Sequence, residues 1–360
     1  MFLARSMRLP LLAALALAFC LAACDAHEHT PDADHALHAD RVLFVMNQGE
    51  ATVSLLDPGT GAVLGAVDLQ AAGFSANAAP HMAVVEPDGS AWYLSLIGEN
   101  AVVKFDHAHR VVGRVTTAAP GMLALSEDGR TLYASRSLSA VNPPASVAVI
   151  DRKTMTLAEE RPAGYPHPHG LTAAPGRAFT ASLRANVLVT LREDGTTAFT
   201  NVDGPPQGLA HLARSPDGER LAVSADLTGQ VHLFRVAGGV PVFEGAVSAG
   251  SRPWHPHFSR DGRTLYVPLY GEDRVAVVDV ATRTVRKKIE GTGLAQPYTA
   301  LLSADGKTLF VTNANLNGRY AGSKPGAGTV VLIDTATDTI RRVVEVGRYP
   351  TGLGLAGAHH

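Results

Sequence analysis

The chain has 360 residues, of which 31 are Lys or Arg and 33 are Asp or Glu, so its formal net charge is −2. Removing Arg5 and Arg8 with an expected export signal leaves 29 basic against 33 acidic residues, a net charge of −4 (29 − 33). No Lys/Arg cluster is large enough for a broad basic surface, which disfavours nucleic acid as a partner.

The N-terminal segment has the features of an export signal. Arg5 and Arg8 precede an apolar run over residues 9–23 that is too short to span a membrane. Small residues before Cys24 resemble the cleavage box of bacterial lipoproteins, which implies cleavage before Cys24 and a lipid on its sulfur. Ordinary cleavage after Ala23 is the alternative. We expect residues 1–23 to be a lipoprotein signal peptide and the protein to be periplasmic, anchored by this lipid to the inner or outer membrane.

Residues 24–40 have little apolar content and should form a disordered tether. The tether is rich in histidine, and neutral imidazole is a good transition-metal ligand. Its candidate residues for secondary metal capture are His27, His29, His35 and His38. The alternative is a polar spacer. The second cysteine, Cys20, lies in the signal, so no disulfide is expected in the folded part.

A turn motif recurs along residues 41–360 with a spacing of about 40–45 residues, which is typical of propeller blades. Asp-Gly pairs supply the positive φ that tight hairpins require. The pairs are Asp88-Gly89, Asp128-Gly129, Asp217-Gly218, Asp261-Gly262 and Asp305-Gly306. Short segments rich in β-branched and aromatic residues follow each pair, and no stretch has a sustained helical period. In one unit Ala174-Pro175-Gly176-Arg177 replaces the motif, which leaves its strand ends undefined.

The number of units predicts an all-β, seven-bladed β-propeller over residues 41–360. Units start near Arg41, Pro80, Pro120, Pro168, Gly208, Pro253 and Pro297. The first unit lacks its opening strand, whereas residues 349–355 look like an opening strand with no unit after it. The C-terminal strand is therefore expected to complete the first blade and close the ring.

The repeats resemble the YVTN-repeat β-propellers of exported bacterial proteins. The residues that carry this resemblance are Leu309 to Asn313 with Val331 to Asp334, and Leu265 to Pro268 with Val277 to Asp279. The resemblance extends over about residues 41 to 356. It implies the fold and an exported location, but not a function, because function depends on sites added to a fold.

Histidines recur at the expected starts of the innermost strands, which converge on the central channel. Three or four such rings can bind one metal ion. The candidate metal ligands are His81, His167, His169, His211, His255 and His257. Two His-Pro-His triplets are expected to offer two imidazoles each to one side, because residues i and i+2 of a strand point the same way. The alternative is that each ring only bonds a neighbouring backbone group and fills the channel.

Four charged residues are expected at the rim of the same face. Glu99 and Asp226 are candidates to complete a metal shell or to orient a ligating histidine, whereas Arg136 and Arg184 are candidates to bind an anion. Solvated loop charge is the alternative for each. The sequence has no Gly-x-Ser-x-Gly motif, no Cys-x-x-Cys-His and no phosphate-binding Gly-rich loop, so no enzyme activity is predicted.

The function predicted from these patterns is that of a monomeric periplasmic carrier or chaperone for zinc or another divalent transition metal. An acidic, His-rich arm joined to a His-lined propeller is similar in layout to periplasmic zinc-chaperone propellers, which implies a metal-uptake binding protein as a partner. Two alternatives remain open. One is a scaffold lipoprotein that binds a protein or glycan and has structural histidines. The other is a haem-binding propeller enzyme.

Overall fold

The computed structural model describes residues 41–357. The predicted signal peptide, the lipidation at Cys24 and the tether of residues 24–40 with its four histidines lie outside the described residues, as do residues 358–360. Within residues 41–357 no helix is both long enough and apolar enough to span a bilayer.

Residues 41–357 form seven sheets of four antiparallel strands each, as the repeats predict. Blade 1 contains β1 (Leu43–Asn47), β2 (Thr52–Leu56) and β3 (Val63–Asp68). Blade 2 contains β4 (Pro80–Val85), β5 (Ala91–Leu96), β6 (Ala101–Asp106) and β7 (Val111–Thr116). Blade 3 contains β8 (Pro120–Leu125), β9 (Thr131–Arg136), β10 (Ser146–Asp151) and β11 (Thr156–Pro162). Blade 4 contains β12 (Pro168–Ala174), β13 (Arg177–Ser182), β14 (Val187–Arg192) and β15 (Thr197–Asn201).

The remaining blades follow the same pattern. Blade 5 contains β16 (Leu209–Arg214), β17 (Arg220–Ala225), β18 (Gln230–Ala237) and β19 (Val240–Ser248). Blade 6 contains β20 (His257–Phe258), β21 (Thr264–Leu269), β22 (Arg274–Asp279) and β23 (Thr284–Ile289). Blade 7 contains β24 (Pro297–Leu302), β25 (Thr308–Asn313), β26 (Ala327–Asp334) and β27 (Thr339–Arg348). The last strand, β28 (Pro350–Gly354), belongs to blade 1. A short 3₁₀ helix spans Ile97–Glu99.

The ring closes through the C-terminal strand. β28 pairs antiparallel with β1, with Phe44 opposite Gly354 and Asn47 opposite Pro350. This pairing confirms the predicted closure. We call the face at which the inner strands begin the site face, and the opposite face, where Asp-Gly turns join inner to second strands, the turn face. β1 begins and β28 ends at the turn face, so both ends of the described chain emerge there.

The Asp-Gly turns are stabilised by hydrogen bonds in which side chains take the place of backbone groups. In blade 3 the Ser126 hydroxyl donates to Asp128 at 2.6 Å and accepts from the Thr131 N–H at 2.9 Å, while Gly129 adopts a φ of 69°. Serine and aspartate pairs repeat this geometry in blades 5, 6 and 7. In blade 4, where the motif is absent, Gly176 still supplies a φ of 69° and the hairpin forms between β12 and β13.

The hydrophobic core lies between neighbouring blades rather than within a single centre. Between blades 1 and 2, Trp92 stacks on Phe44 with ring centroids 4.5 Å apart and on Phe105 at 4.1 Å. The other described blades share similar apolar interfaces. Packing between blades therefore fixes how closely the inner strands approach the axis.

Candidate imidazole site

A sharp backbone turn precedes every inner strand at the site face. The residue before each of these strands, or before Pro253 in blade 6, has a φ between 41° and 64°, in the left-handed region that favours glycine. These residues are Ala79, Ala119, His167, Gly208, Arg252, Gln296 and Tyr349. In blade 2, pairing with the second strand then skips from Pro80 to Ala83. His81 and Met82 therefore lie in a bulge at the site face. Blades 3, 4, 5 and 7 have the same irregularity.

Blade 6 departs from this pattern. Its inner strand is reduced to β20, because Pro256 lacks the N–H group that a regular strand would donate at this position. His255 instead pairs in parallel with Thr299 of blade 7, and its N–H donates to the Tyr298 carbonyl at 3.2 Å. The backbone at His255 thus lies against the neighbouring blade.

Four histidines from four blades meet at the site-face end of the channel. Ring centroids are 6.0 Å apart for His81 and His169, 5.0 Å for His169 and His211, and 5.1 Å for His211 and His255. All four side chains are buried, and His169 and His211 have no exposed surface. We call these four residues the imidazole cluster. Inner-strand convergence brings together residues that are up to 174 positions apart (255 − 81).

The hydrogen bonds of two rings fix which nitrogen carries the proton. His81 Nδ1 donates to Gln48 Oε1 at 2.8 Å, and His169 Nδ1 donates to the Arg136 carbonyl at 2.6 Å. The Nε2 atoms of both rings are buried and have no hydrogen-bond partner, and neither nitrogen of His211 has one. Leaving a buried polar atom unpaired costs about 1–3 kcal/mol. The cluster therefore presents buried lone pairs that a ligand could satisfy.

Burial keeps the imidazoles of His81, His169 and His211 neutral. It lowers the pKa of His81 to about 4. Burial and then the neighbouring His81 lower the pKa of His169 to about 3. The pKa of His211 is held well below its ordinary value, first by burial and then by His169, His255 and His81. Neutral imidazole is the form that binds metal ions.

Aromatic side chains pack against the cluster from the site face. Trp254 stacks on Tyr270 at 4.6 Å and meets Tyr298 edge-on at 4.3 Å, while Tyr298 contacts Tyr349 at 6.2 Å. Trp254 also lies 5.5 Å from the His211 ring. We call these four residues the aromatic cap. Sequence reasoning did not select Trp254 or Tyr298, although both directly follow the proline at the start of their units.

The other two predicted ligands, His167 and His257, have different surroundings. His167 Nε2 donates to the Ser137 carbonyl at 2.8 Å, although the ring is buried beside blade 3. His257 lies in β20 and lines a small cavity at the turn face together with Arg214 and Phe258. The expectation that each His-Pro-His triplet directs both rings to one place therefore does not describe blade 6, where the irregular backbone at His255 separates them.

Arg136 is a structural residue in this arrangement. Its side chain has no exposed surface, and it donates to the Ser146 carbonyl at 2.8 Å, to the Ala118 carbonyl at 2.8 Å and to the Glu160 carboxylate. Its donors thus have partners within blade 3 and its neighbouring loop. Because the Arg136 carbonyl accepts from His169, this network also positions a ring of the imidazole cluster.

The other predicted charged residues lie at the rim. Glu99 accepts from the Ser75 N–H at 2.8 Å, and these bonds hold its pKa below the ordinary value. Arg184 is exposed on the loop after β13. Asp226 pairs with Arg252 at 3.0 Å and accepts from Trp254 Nε1 at 3.0 Å. Asp226 therefore orients the aromatic cap rather than a histidine.

A wider cavity of about 580 Å³ opens at the turn face. Its walls come from the far ends of inner strands, including Val84, Leu125 and Ala173, with Glu86 and Arg214 as charged members. Arg214 pairs with Glu127 at 2.5 Å across its edge. The cavity and the imidazole cluster thus lie at opposite ends of the inner strands.

The imidazole cluster is not a preformed metal site. Among residues 41–357, no three His, Cys, Asp or Glu side chains are arranged to hold a metal ion as they stand. The ring spacing is nevertheless suitable. Two imidazoles on one tetrahedral zinc, with Zn–N bonds of about 2.0–2.1 Å, have ring centroids about 5.2 Å apart. Two measured separations, 5.0 and 5.1 Å, are close to this value.

Comparisons with known proteins establish the fold. No protein-family model matches the chain. Antigen Lp49 of Leptospira interrogans is 37% identical over 95 residues, which is 26% of this chain and only 20% of the antigen. The periplasmic gluconolactonase PpgL of Pseudomonas aeruginosa superposes with a TM-score of 0.66 at 23% identity, covering 87% of this chain and 98% of PpgL. The dihydro-heme d1 dehydrogenase NirN superposes with a TM-score of 0.58 at 14% identity, covering 89% of this chain and 76% of NirN. The chain is a seven-bladed propeller similar in fold to gluconolactonases and to haem-related propellers.

Proposed function

We propose that this chain is an exported, lipid-anchored binding protein that carries a transition-metal ion on the imidazole cluster. The sequence-based expectation for the ion is zinc or another divalent metal. The observation that supports the proposal is the set of buried, unpaired ring nitrogens on His81, His169 and His211. The resemblance of the N-terminal segment to a lipoprotein signal supports export, as does the similarity in fold to the periplasmic gluconolactonase PpgL.

The hydrogen bonds of the cluster suit this role. Metal-ligating histidines commonly donate their other ring nitrogen to a carbonyl or side-chain oxygen, which fixes the tautomer. His81 and His169 both have such a bond. His211 has no hydrogen bond at either nitrogen, so its ring can rotate without breaking one. We therefore expect His169 and His211 to contribute most to binding.

Metal content measured on purified protein tests this proposal. The full chain should be prepared without a purification tag, in a background where the four tether histidines are replaced by glutamine. Equilibrium dialysis against Zn(II), Cu(II) and Cu(I), followed by elemental analysis, should find one ion per chain. His169→Gln and His211→Gln, which each remove a proposed ligand, should bind well below one ion per chain under the same conditions.

A matched control separates ligation from loss of folding. His232 is also buried, but it lies on β18 beside Gln207. His232→Gln should leave binding unchanged, and circular dichroism should show that all variants are folded. Failure of the background protein to bind any of the three ions would contradict the proposal and favour the protein- or glycan-binding scaffold with structural histidines.

Haem is a weaker candidate for the same site. A buried histidine with an unpaired Nε2 also suits an axial haem ligand. However, Trp254 and Tyr298 occupy the space directly beside His211. A porphyrin would have to displace the aromatic cap. A visible absorption band in protein purified from its host would support haem, and its absence together with bound metal would support the carrier.

A further inference from the structure

The surroundings of the imidazole cluster are buried and carry little negative charge. His81 and His169 are bonded to an amide and to a backbone carbonyl, both of which are neutral. The rings pack against histidine, tryptophan and tyrosine side chains. A cation that enters this site therefore meets neutral donors.

The carboxylates on the neighbouring elements are already neutralised. Asp226 pairs with Arg252 and accepts from Trp254 Nε1. Glu160 pairs with the buried Arg136, and towards the turn face Glu86 pairs with Arg152. Recruiting any of these carboxylates to a metal would break an ion pair and leave an arginine unpaired, which is costly when the partner is buried.

One phenol of the aromatic cap lies directly against the rings. Tyr298 contacts both His81 and His211, with ring centroids 6.2 Å apart in each case. Its side chain is itself buried, so it closes off these two rings from solvent on its side.

In such surroundings the charge of an ion strongly affects how tightly the imidazole cluster binds it. The energy of transferring an ion from water into a medium of low dielectric constant scales with the square of its charge, so a divalent ion costs about four times as much as a monovalent ion of the same size. Zinc sites with three histidines offset this cost with a bound hydroxide in an open, hydrated position. Here the aromatic cap covers the cluster. Cu(I), a monovalent d¹⁰ ion, is satisfied by two or three imidazole nitrogens and needs no bound anion.

We propose that the imidazole cluster binds a monovalent ion, Cu(I), in preference to zinc or any other divalent metal. This inference rests on the proposed function, that a transition metal occupies the cluster, and it replaces the divalent ion expected from the sequence. His169 and His211 are the principal ligands, His81 or His255 is the third, and the aromatic cap excludes water from the ion.

Comparing ions of different charge tests this preference. In the background without tether histidines, Cu(I) is delivered anaerobically from a chromophoric Cu(I) chelator, Ag(I) serves as a redox-inert monovalent probe, and Zn(II) is titrated against a zinc dye. Cu(I) and Ag(I) should bind one per chain. Zn(II) should bind at least about 100-fold more weakly, a difference worth about 2.7 kcal/mol. Binding of both monovalent ions should be lost in His169→Gln and His211→Gln.

Adding one negative charge to the cluster gives a second test. His255 stacks on His211 at 5.1 Å, so His255→Glu places a carboxylate beside the ion, whereas His255→Gln is its neutral control. The glutamate variant should shift the preference towards Zn(II) by at least about tenfold relative to the glutamine variant. Thermal unfolding of both variants checks that they are folded.

The outcomes distinguish this inference from the proposed function. Zn(II) that binds as tightly as Cu(I), and that is lost in His169→Gln, would overturn the monovalent preference while supporting the metal carrier. Equal ion preferences in His255→Glu and His255→Gln would also overturn it. Binding of neither Cu(I), Ag(I) nor Zn(II) to the background protein would overturn both proposals.

Discussion

Acidification of the metal-free protein should destabilise it through the imidazole cluster. Burial lowers the pKa of His81 to about 4 and that of His169 to about 3. In the unfolded chain both rings take up protons near the ordinary histidine pKa of about 6.5. Between these values the unfolded state binds more protons than the native state, so stability falls as the pH falls. Above pH about 6.5 neither ring binds a proton in either state, and this dependence disappears.

The magnitude follows from the number of rings that titrate only in the unfolded chain. Each such ring contributes a slope of about 1.4 kcal/mol per pH unit, so His81 and His169 together give about 2.7 kcal/mol per unit near pH 5. Over the whole range the two pKa differences correspond to about 8 kcal/mol, comparable with the total stability of many proteins. His211, whose pKa is also lowered, adds to this loss.

Urea denaturation in the presence of a metal chelator, at several pH values between 7 and about 5, measures this slope. The pH is kept above about 5 because carboxylates begin to take up protons below about pH 4.5. His169→Gln should reduce the slope by about 1.4 kcal/mol per unit. A flat profile in the native protein, or an unchanged slope in His169→Gln, would refute the reasoning.

Three further predictions concern single side chains. Arg136→Met should lower the free energy of unfolding in urea by about 3 kcal/mol. This is the lower end of the range for breaking a buried ion pair, because Glu160 is partly exposed and can be hydrated. An unchanged free energy of unfolding would show that the Arg136 network is dispensable. Ion binding to the cluster should change the fluorescence of Trp254 and not of Trp92, so the signal should vanish in Trp254→Phe and survive in Trp92→Phe. Gly98→Ala should destabilise or prevent folding, since a Cβ atom there would lie 1.7 Å from a backbone oxygen; an unaltered melting temperature would contradict this.

The fold could be predicted from the sequence because each unit carries its own local signals. Asp-Gly turns, short β-branched strands and a spare C-terminal strand required only spacing and composition. Where Ala174 to Arg177 replaced the turn motif, Gly176 supplied the conformation that the aspartate-containing turns otherwise provide. Ring closure followed from matching β28 to the missing strand of blade 1.

The site could be predicted only in part. The meeting of His81, His169, His211 and His255 follows from their positions one or two residues after the first residue of each inner-strand start, and their ring contacts agree with it. The partner of Arg136 was not predictable, because Glu160 lies on the outer strand of the same blade and reaches the guanidinium only through the tertiary packing.

Two other features depended on interactions between blades. The pairing of Asp226 with Arg252 and Trp254 joins the end of the second strand of blade 5 to the start of blade 6, so strand alternation alone did not reveal it. The separation of His257 from His255 arises where Pro256 interrupts the inner strand, and strand periodicity assumes an uninterrupted strand. Proline within a predicted inner strand is the signal that could have indicated this break.

The position of the described chain ends has a consequence for access. Residue 41 leads into β1 at the turn face, and β28 leaves the ring at the same face. A membrane attachment made through the residues before β1 would be at the turn face of the propeller. The imidazole cluster lies at the opposite face, beneath Trp254 and Tyr270. A protein that donates or accepts the ion could therefore reach the cluster from the side away from the attachment.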